Sequence, residues 1–357
     1  MSSMVIEALG RDPSQIALWD QYVSSHAAGT VYHLSAWRTI FEESFGYRSW
    51  LLMARHAQNA GIAGVLPLYL VASPFSRRLV SVPFRDRGGP LWDTAEAFHA
   101  LVARAREIAA RAGAITVRLK TVHPYPSELV SASSLHDHFH WVHSVVDLRG
   151  VTADAFWRDI GDKNRNMIRQ AERHGLAFES LVIDEPRVRQ WHRLHLATQK
   201  RLGLPPFPAK FFRVMSAELA KLDAIAMFGV RRGEKLEAAA IVLVHGKTAI
   251  YGYSASSGEG QNHRANDLMM CNMMRWAIEK QYDRFDLGSD SPAQDSLLFF
   301  KRKWLAAQAP VPIYTTGAGD RPVVDSSDRK YAFARKAFAL LPAGVLNAGS
   351  FITRYFG

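Results

Sequence analysis

The chain has 357 residues, of which 48% are hydrophobic, enough to bury two cores of ordinary size. It carries 44 Lys and Arg against 33 Asp and Glu, a formal charge of +11 that favours anionic partners such as phosphates, nucleic acid or a membrane face. Its one cysteine, Cys271, excludes an internal disulfide and an all-cysteine metal site, and the sequence has no apolar run of about 20 residues that would span a bilayer.

Helices and strands alternate along the first half of the chain. Residues 15–25 and 36–45 each carry an apolar face at helical spacing, and Ser35 is a suitable N-cap for the second helix. Residues 94–112 are rich in Ala and Arg and predict a helix that ends before Gly113. The predicted strands are 50–55, 61–71 and 114–120.

The second half repeats this alternation with clearer periodicity. One long helix is predicted over 153–174, and Gly175 ends it. Further helices are predicted at 185–202, 209–222 and 265–280, and strands at 144–148, 176–183, 224–231, 235–245, 248–254 and 284–287. Interleaved helices and strands indicate an α/β fold class with an α+β mixed sheet, and we expect the domain boundary near 141–150.

Four stretches, in this order, carry a family resemblance. They are SVPFRDRGGPL at 81–91, DKNRNMIRQAERHGL at 162–176, AIYGYSASS at 249–257, and the segment 264–304, which runs from Arg264 through FDLGSDS to FFKRKW. Together they resemble FemAB-type acyltransferases of the GNAT superfamily, particularly the proteobacterial FemAB-related proteins. The resemblance implies tandem GNAT-like acyltransferase domains. A diverged N-terminal copy would occupy 1–145, a C-terminal copy 146–320, and a basic helical tail 321–357.

The segment 285–304 contains the candidate catalytic residues Asp286, Asp290 and Lys301. Forming an amide from an activated acyl group requires a neutral amine, a positive site for the oxyanion and a proton for the leaving atom, but no covalent enzyme intermediate. Either aspartate would orient the amine or accept its proton. The resemblance implies that Lys301, in the Phe300-Lys301 pair, lies close to the transferred group or to its phosphates. Alternatively, FKRKW begins a solvated basic helix and Asp286 only caps the turn at Gly288.

Candidate substrate-binding residues lie on other elements. Tyr251 and Tyr253 alternate on one strand, which predicts that both rings lie on the same face, either lining a cleft or in the core. Arg165, Arg169 and Arg173 form a cationic stripe at helical spacing, which suits phosphate oxygens or is only a solvated face. The resemblance implies that the KNRN sequence, with Lys163 and Arg165, contributes to substrate binding. It also points to Arg38, after Trp37, and to Phe300.

The acyl donor is a co-substrate, and no cofactor is predicted. In ordinary GNAT enzymes, a loop with two glycine positions holds the pyrophosphate of coenzyme A. In the corresponding residues 261–266, QNHRAN, both of these positions have residues with side chains. This favours aminoacyl-tRNA as donor over acyl-CoA, and the high positive charge suits RNA. The acceptor would be an amine related to peptidoglycan, polysaccharide or peptide.

Other function classes remain open from the sequence. The chain is alternatively a non-catalytic binding protein of a membrane-associated envelope or exopolysaccharide assembly, held to an anionic membrane by its basic tail. The HDHFH sequence at 136–140 places three imidazoles on one strand face, but no completed ligand set accompanies it, and no metal is predicted. The N-terminus has no basic segment leading into an apolar one, so we expect a cytoplasmic protein, peripheral to the inner membrane if the tail binds there.

Overall fold

A computed structural model describes residues 4–58, 61–74, 76–85, 87–121, 123–316, 336 and 338–356, apart from the side chains of 138–140 and 343. The chain divides into two compact units. Unit 1 contains the described residues of 1–141, 310–324 and 352–357, and unit 2 contains those of 142–309 and 325–351. The sequence-based division at 145 and 320 stays a prediction.

Unit 1 is built around a mixed sheet. Its strands, in spatial order, are β1 (Met4–Ala8), β2 (Arg48–His56), β3 (Ile62–Ser73), β4 (Ser76–Val80), β6 (Thr116–Lys120) and the end of β13 (Ala307–Thr315), with β5 (Leu91–Trp92) paired to β3. Its helices are α1 (Pro13–Ser25), α2 (Ala36–Phe45), α3 (Ala95–Arg111) and α4 (Ser127–Ala132). Only β4 and β6 pair in parallel among these strands. Helix α3 buries Phe98 and Leu101 against the apolar side chains of β2 and β3.

Unit 2 contains a second mixed sheet, which positions the candidate site. Its strands, in spatial order, are the end of β7 (His136–Asp147), β12 (Arg284–Asp290), β11 (Thr248–Ser256), β10 (Lys235–His245), β9 (Ile225–Arg232) and β8 (Leu176–Leu181). Neighbouring strands are antiparallel except β11 and β12, which are parallel. The helix-containing connection from β11 to β12 is what a parallel pair requires, because a hairpin cannot join parallel strands.

Helices cover both faces of the sheet of unit 2. They are α5 (Ala153–Asp159), α6 (Gly161–Arg173), α7 (Glu185–Leu202), α8 (Ala209–Ala220), α9 (Gly258–Asn262), α10 (Ala265–Glu279), α11 (Asp295–Arg302) and α12 (Ala343–Ala348). Helices α5, α6 and α10 bury their apolar side chains against Ala238, Ala240 and Val242 of β10. On the other face, Phe211 and Phe212 of α8 pack edge-on against Tyr253 of β11.

Several element boundaries differ from the sequence-based expectations. The helix predicted over 153–174 is two helices, because the chain turns at Gly161, whose φ of +76° is readily adopted only by glycine. The strand predicted at 284–287 continues to Asp290, and β7 begins before residue 144. Most of the tail predicted as helical at 321–357 lies outside the described residues, although Ala343–Ala348 is helical and Gly349–Tyr355 forms 3-10 turns. Within the described part, no helix has the length and apolarity needed to cross a bilayer.

Candidate active site

Strands β11 and β12 pair over only three residues before their ladder ends. The pairs are Thr248 with Arg284, Ala249 with Phe285 and Ile250 with Asp286. Both strands continue beyond this point, β11 to Ser256 and β12 to Asp290, without further paired residues between them. The candidate catalytic residues of β12 therefore begin where the two parallel strands stop pairing.

A β-bulge in β11 lies next to this point and separates the two predicted tyrosines. Val242 pairs with Tyr251 and Ile241 with Tyr253, so Gly252 is the extra residue. Paired residues share a face, so Tyr251 lies with Val242 against the core of α6 and α10, whereas Tyr253 lies on the α8 side. The prediction that both rings share one face is wrong, because simple alternation fails across a bulge. Burial raises the pKa of Tyr251 to about 12, so its phenol is a hydrogen-bond donor rather than a base.

Asp286 is buried and accepts hydrogen bonds from two sides. Its Oδ1 accepts the Gly288 backbone N–H at 2.7 Å and lies 3.0 Å from Nε2 of His143 on β7. The turn at Gly288 predicted from the sequence is present, with φ of +75°. The Asp286 carboxylate therefore both caps this turn and pairs with an imidazole, and the two readings of the residue are compatible.

Lys301 and Asp290 form a second buried pair beside the first. The Lys301 ammonium contacts Asp290 Oδ2 and donates a hydrogen bond to the Gly288 carbonyl oxygen at 3.1 Å. Its side chain is only 7% exposed, so Lys301 does not belong to a solvated basic face of α11.

One residue, Gly288, connects the two pairs through its backbone. The N–H of Gly288 binds Asp286, and its carbonyl oxygen binds Lys301. The chain geometry that allows this is a bulge in β12, where Asp286 pairs with Val145 and Ser289 with His143, so that Leu287 and Gly288 together oppose a single residue of β7. The two aspartates, the lysine and a histidine thus form one connected group.

The sequence analysis missed His143, which stood one residue before the strand predicted at 144–148. Alternation along His143, Val145 and Asp147 was the available signal, since it places the imidazole on one face of that strand. The pairing of β7 with β12 that brings it to Asp286 joins residues 143 apart in sequence. No local pattern contains that information.

The KNRN residues have other contacts. Asn164 is buried, and its side-chain amide donates to the carbonyl oxygens of Ile160 and Lys303 at 2.9 and 2.7 Å. The guanidinium of Arg165 donates to the Trp157 and Arg158 carbonyl oxygens and pairs with Asp162 at 2.6 Å. These bonds give Asn164 and Arg165 structural roles.

The other predicted substrate-binding residues are Lys163, Arg169, Phe300 and Arg38. Lys163 and Arg169 are exposed on α6. Phe300 packs at the edge of the core of unit 2, with the Lys303 ammonium over its ring. Arg38 lies in unit 1, where its guanidinium donates to the Leu9 carbonyl oxygen at 2.9 Å, and burial lowers its pKa. Binding of substrate by these residues stays a prediction.

The start of α10 is poorly suited to a pyrophosphate. Arg264 precedes the helix with φ of +67°, the backbone conformation usually given to glycine, and its side chain is exposed. The first turn already contains the carboxylate of Asp267, which is buried and pairs with Lys303 at 2.5 Å. A negative side chain at a helix N-terminus opposes binding of another anion there.

Two other sequence features are Cys271 and the HDHFH sequence. Cys271 is buried in the core of unit 2 and burial raises the pKa of its thiol to about 11, so it is not a nucleophile. The described residues contain no group of three or more His, Cys, Asp or Glu that would hold a metal ion. The side chains of His138 and His140 in the HDHFH sequence lie outside the described set.

The chain is similar to known proteins in part of its sequence and in its fold. Residues 162–301 match the sequence model of the acetyltransferase (GNAT) domain. The UDP-N-acetylmuramoylpentapeptide-lysine N(6)-alanyltransferase of Weissella viridescens is 27% identical over 145 residues, which span 39% of this chain and 41% of that enzyme. The FemX crystal structure has a TM-score of 0.70 at 15% identity, covering 87% of this chain and 97% of that one. A tandem GNAT protein from the clavulanic acid biosynthesis pathway has a TM-score of 0.58 at 13% identity, covering 89% and 100%.

The fold is therefore of the tandem GNAT type, as the sequence analysis predicted. The similarity to the alanyltransferase and to the GNAT domain, together with the FemX fold, confirms the resemblance to FemAB-type proteins seen in the four stretches. Its placement among the proteobacterial relatives stays a prediction.

Proposed function

We propose that the chain is an N-acyltransferase that forms an amide by moving an aminoacyl or acyl group from an activated donor to an amine. The observation that carries the proposal is the buried group of Lys301, Asp290, Asp286 and His143, joined through the backbone N–H and C=O of Gly288 where β11 and β12 stop pairing. The similarity to an alanyltransferase supports it. The donor is a co-substrate, and the reaction requires no resident cofactor.

Lys301 is suited to stabilise the oxyanion that forms on the acyl carbonyl. The Gly288 carbonyl oxygen and the Asp290 carboxylate hold its ammonium in place. A preorientated cation in a water-poor site stabilises developing negative charge more strongly than water does. Asp290 holds that ammonium in place and compensates its charge in the absence of substrate.

The carboxylates of Asp286 and Asp290 are suited to binding the acceptor amine. The group contains both of these carboxylates, which attract a cationic acceptor. The acceptor must lose a proton to attack, and a buried carboxylate pair provides both the attraction and a proton route. No side chain of the group needs to form a covalent bond to the acyl group.

Aminoacyl-tRNA is the proposed donor. A coenzyme A pyrophosphate requires glycines and an unoccupied positive helix end. The start of α10 has neither, because Arg264 and Asp267 lie there. The formal charge of +11 attracts RNA phosphates. Acyl-CoA is the alternative donor, and the acceptor class is an amine of a peptide, an amino sugar or a peptidoglycan precursor.

Donor consumption tests the proposal directly. Purified protein is incubated with radiolabelled alanyl-tRNA or acetyl-CoA, and with Nα-acetyl-lysine amide, glucosamine or a peptidoglycan precursor as acceptor. We expect label to move from tRNA to an alkali-stable amide. Lys301→Met should abolish transfer, whereas Arg302→Met, an exposed neighbour on the same helix, should keep it. If the wild type consumes neither alanyl-tRNA nor acetyl-CoA, the proposal is overturned. If it consumes only acetyl-CoA, acyl-CoA replaces aminoacyl-tRNA as the proposed donor.

Membrane association is a second candidate property, favoured by apolar side chains near the C-terminus. Leu340, Phe351 and Phe356 are exposed in a segment that also contains Arg354. Such a pattern suits an anionic lipid surface and would place the protein at the cytoplasmic side of the inner membrane, either as an enzyme or as a binding protein. Sedimentation with anionic vesicles, weakened by the double change L340E and F351E but not by K301M, tests it. Equal sedimentation of both variants contradicts it.

A further inference from the structure

Lys303, the second lysine of the FFKRKW segment, is largely buried and ion-paired. Its side chain is 18% exposed, and its ammonium lies 2.5 Å from Oδ1 of Asp267, whose side chain is 9% exposed. Asp267 belongs to the first turn of α10, so the pair joins the end of α11 to the start of α10. Replacing a buried ion pair by apolar side chains of similar volume is often neutral or stabilising, so stability alone does not account for two charges at this place.

Aromatic side chains of the same segment hold the Lys303 ammonium from other directions. The ammonium lies 4.8 Å from the centroid of the Phe300 ring and 5.6 Å from that of Trp304. A cation over the face of an aromatic ring is attracted by that ring. Trp304 is fully buried in the core of unit 2, so the ammonium rests against a side chain that is itself fixed by packing.

The backbone of Lys303 is held by a third element, α6. Its carbonyl oxygen accepts a hydrogen bond from the side-chain amide of Asn164 at 2.7 Å. The sulfur of Met167, one turn further along α6, lies 4.0 Å from the Lys303 ammonium. Lys303 is therefore fixed to α10 by its side chain and to α6 by its main chain, and it is the C-cap of the helix that contains Lys301.

Lys301 and Lys303 lie on opposite faces of the end of α11. Successive residues of an α-helix are turned by about 100°, so residues two apart point in nearly opposite directions. The contacts agree, because the Lys301 ammonium contacts Asp290 of β12. The Lys303 ammonium contacts Asp267 of α10 instead. The last turn of α11 is thus held from two sides by largely buried ion pairs.

We propose that Lys303 and Asp267 are positioning residues of the acyl transfer, which act through Lys301 by fixing the end of α11 against α10. The proposal rests on the acyltransferase function proposed above. Without the pair, the side of α11 that faces away from β12 loses its charged anchor, and the Lys301 ammonium moves relative to the acyl carbonyl. A displacement of about 1 Å lowers rates by about 100-fold. The role does not require either residue to touch the substrate, so it predicts a loss in kcat rather than in donor binding.

A double-mutant cycle separates positioning from simple stabilisation. We measure urea unfolding, and transfer from alanyl-tRNA and from acetyl-CoA to Nα-acetyl-lysine amide, for the wild type, Lys303→Met, Asp267→Asn and the double variant. Each single change leaves one buried charge unpaired and should lower stability, whereas the double variant has neither charge and should recover most of that loss. In all three variants kcat should fall by about tenfold to 100-fold, with KM for the donor unchanged. Lys280→Met, a change of an exposed lysine that follows α10, should keep wild-type stability and kcat.

The outcomes separate the two proposals. If the folded wild type transfers no acyl group, the proposed function fails. If the wild type is active and Lys301→Met is not, but the double variant recovers wild-type kcat together with stability, the proposed function stands and the positioning role is overturned. A folded Lys303→Met with wild-type kcat, or with a loss only in KM, also overturns that role. If the single variants do not fold, the double variant decides: a lower kcat with unchanged KM supports the role, and wild-type kcat overturns it.

Discussion

Gly288 is the residue on which the two charged pairs depend most directly, although it has no side chain. Its N–H binds Asp286, its carbonyl oxygen binds Lys301, and its φ of +75° turns the peptide so that both contacts form. A Cβ at this position would meet no atom within 4 Å, so an added methyl group acts only through the backbone. The conformation itself can therefore be tested.

Gly288→Ala should lower both stability and activity. An L-residue in the left-handed region costs about 1–2 kcal/mol, and relief of that strain by rotation of the peptide would move Lys301 and Asp286 out of register. Gly161→Ala is the matched control, because Gly161 has φ of +76°, open space around its Cβ position and no contact with the site. We expect similar losses in urea-unfolding free energy for both variants and loss of acyl transfer only for Gly288→Ala. Equal activities would contradict the structural role of this peptide.

Asn164 is the buried residue of the KNRN sequence, which the family resemblance links to substrate binding. Its side chain ties the start of α6 to the Lys303 carbonyl oxygen after α11. Asn164→Ala removes the side-chain hydrogen bonds to that carbonyl and to that of Ile160, which should cost about 1–3 kcal/mol. Because Lys301 lies two residues before Lys303, kcat should also fall. Asn166→Ala, an exposed change on the same helix, should alter neither the unfolding free energy nor kcat.

At the scale of elements, α7 holds the loop that follows it through two histidines one turn apart. Nε2 of His192 lies 3.1 Å from the Phe207 carbonyl oxygen, and Nε2 of His195 accepts the Phe207 N–H at 3.1 Å. His195 must be neutral to accept that bond. Burial lowers its pKa from the ordinary 6.5 to about 3, with a smaller effect from His192.

This predicts a specific loss of stability in acid. Below pH 6.5 the unfolded chain protonates His195 and the folded chain does not, so the free energy of unfolding should fall by about 1.4 kcal/mol per pH unit as the pH decreases toward 3. Above pH 6.5 this residue contributes no pH dependence. Urea unfolding between pH 4.5 and 7.5 measures the slope. His195→Gln should remove that part of the slope, whereas the exposed His174→Gln should keep it; identical slopes for wild type and His195→Gln would contradict the assignment.

The same scale shows what the sequence could and could not predict. Strands β9, β10 and β11 and helices α7 and α10 were predictable within a few residues, because apolar periodicity and turn residues are local signals. The bulges at Gly252 and Gly288 were not, since an extra residue becomes visible only against its partner strand. Asp286, Asp290 and Lys301 lie in one segment and were found together, whereas His143 reaches them only through the pairing of β7 with β12.

At the scale of the whole molecule, the excess of 44 basic over 33 acidic residues is the property that bears on the donor. Buried charges such as Lys301 and Lys303 are paired with aspartates and contribute little to an outer field. The net charge of +11 therefore comes largely from other side chains. This charge attracts a polyanion such as tRNA over longer distances than it attracts a small donor. The donor can then be recognised by the salt dependence of its KM.

If aminoacyl-tRNA is the donor, salt should weaken its binding without slowing the chemical step. Each phosphate that the protein neutralises releases counterions, so three or four contacts would raise KM for alanyl-tRNA on the order of 10- to 100-fold between 50 and 200 mM KCl, with kcat unchanged. The matched donor is 3′-O-alanyl-adenosine, which has the same reacting ester and no phosphate, and its KM should stay nearly constant over that range. Initial rates over the same salt series measure both. A KM for alanyl-tRNA that ignores salt would contradict RNA recognition by the excess positive charge, even if acyl transfer itself were intact.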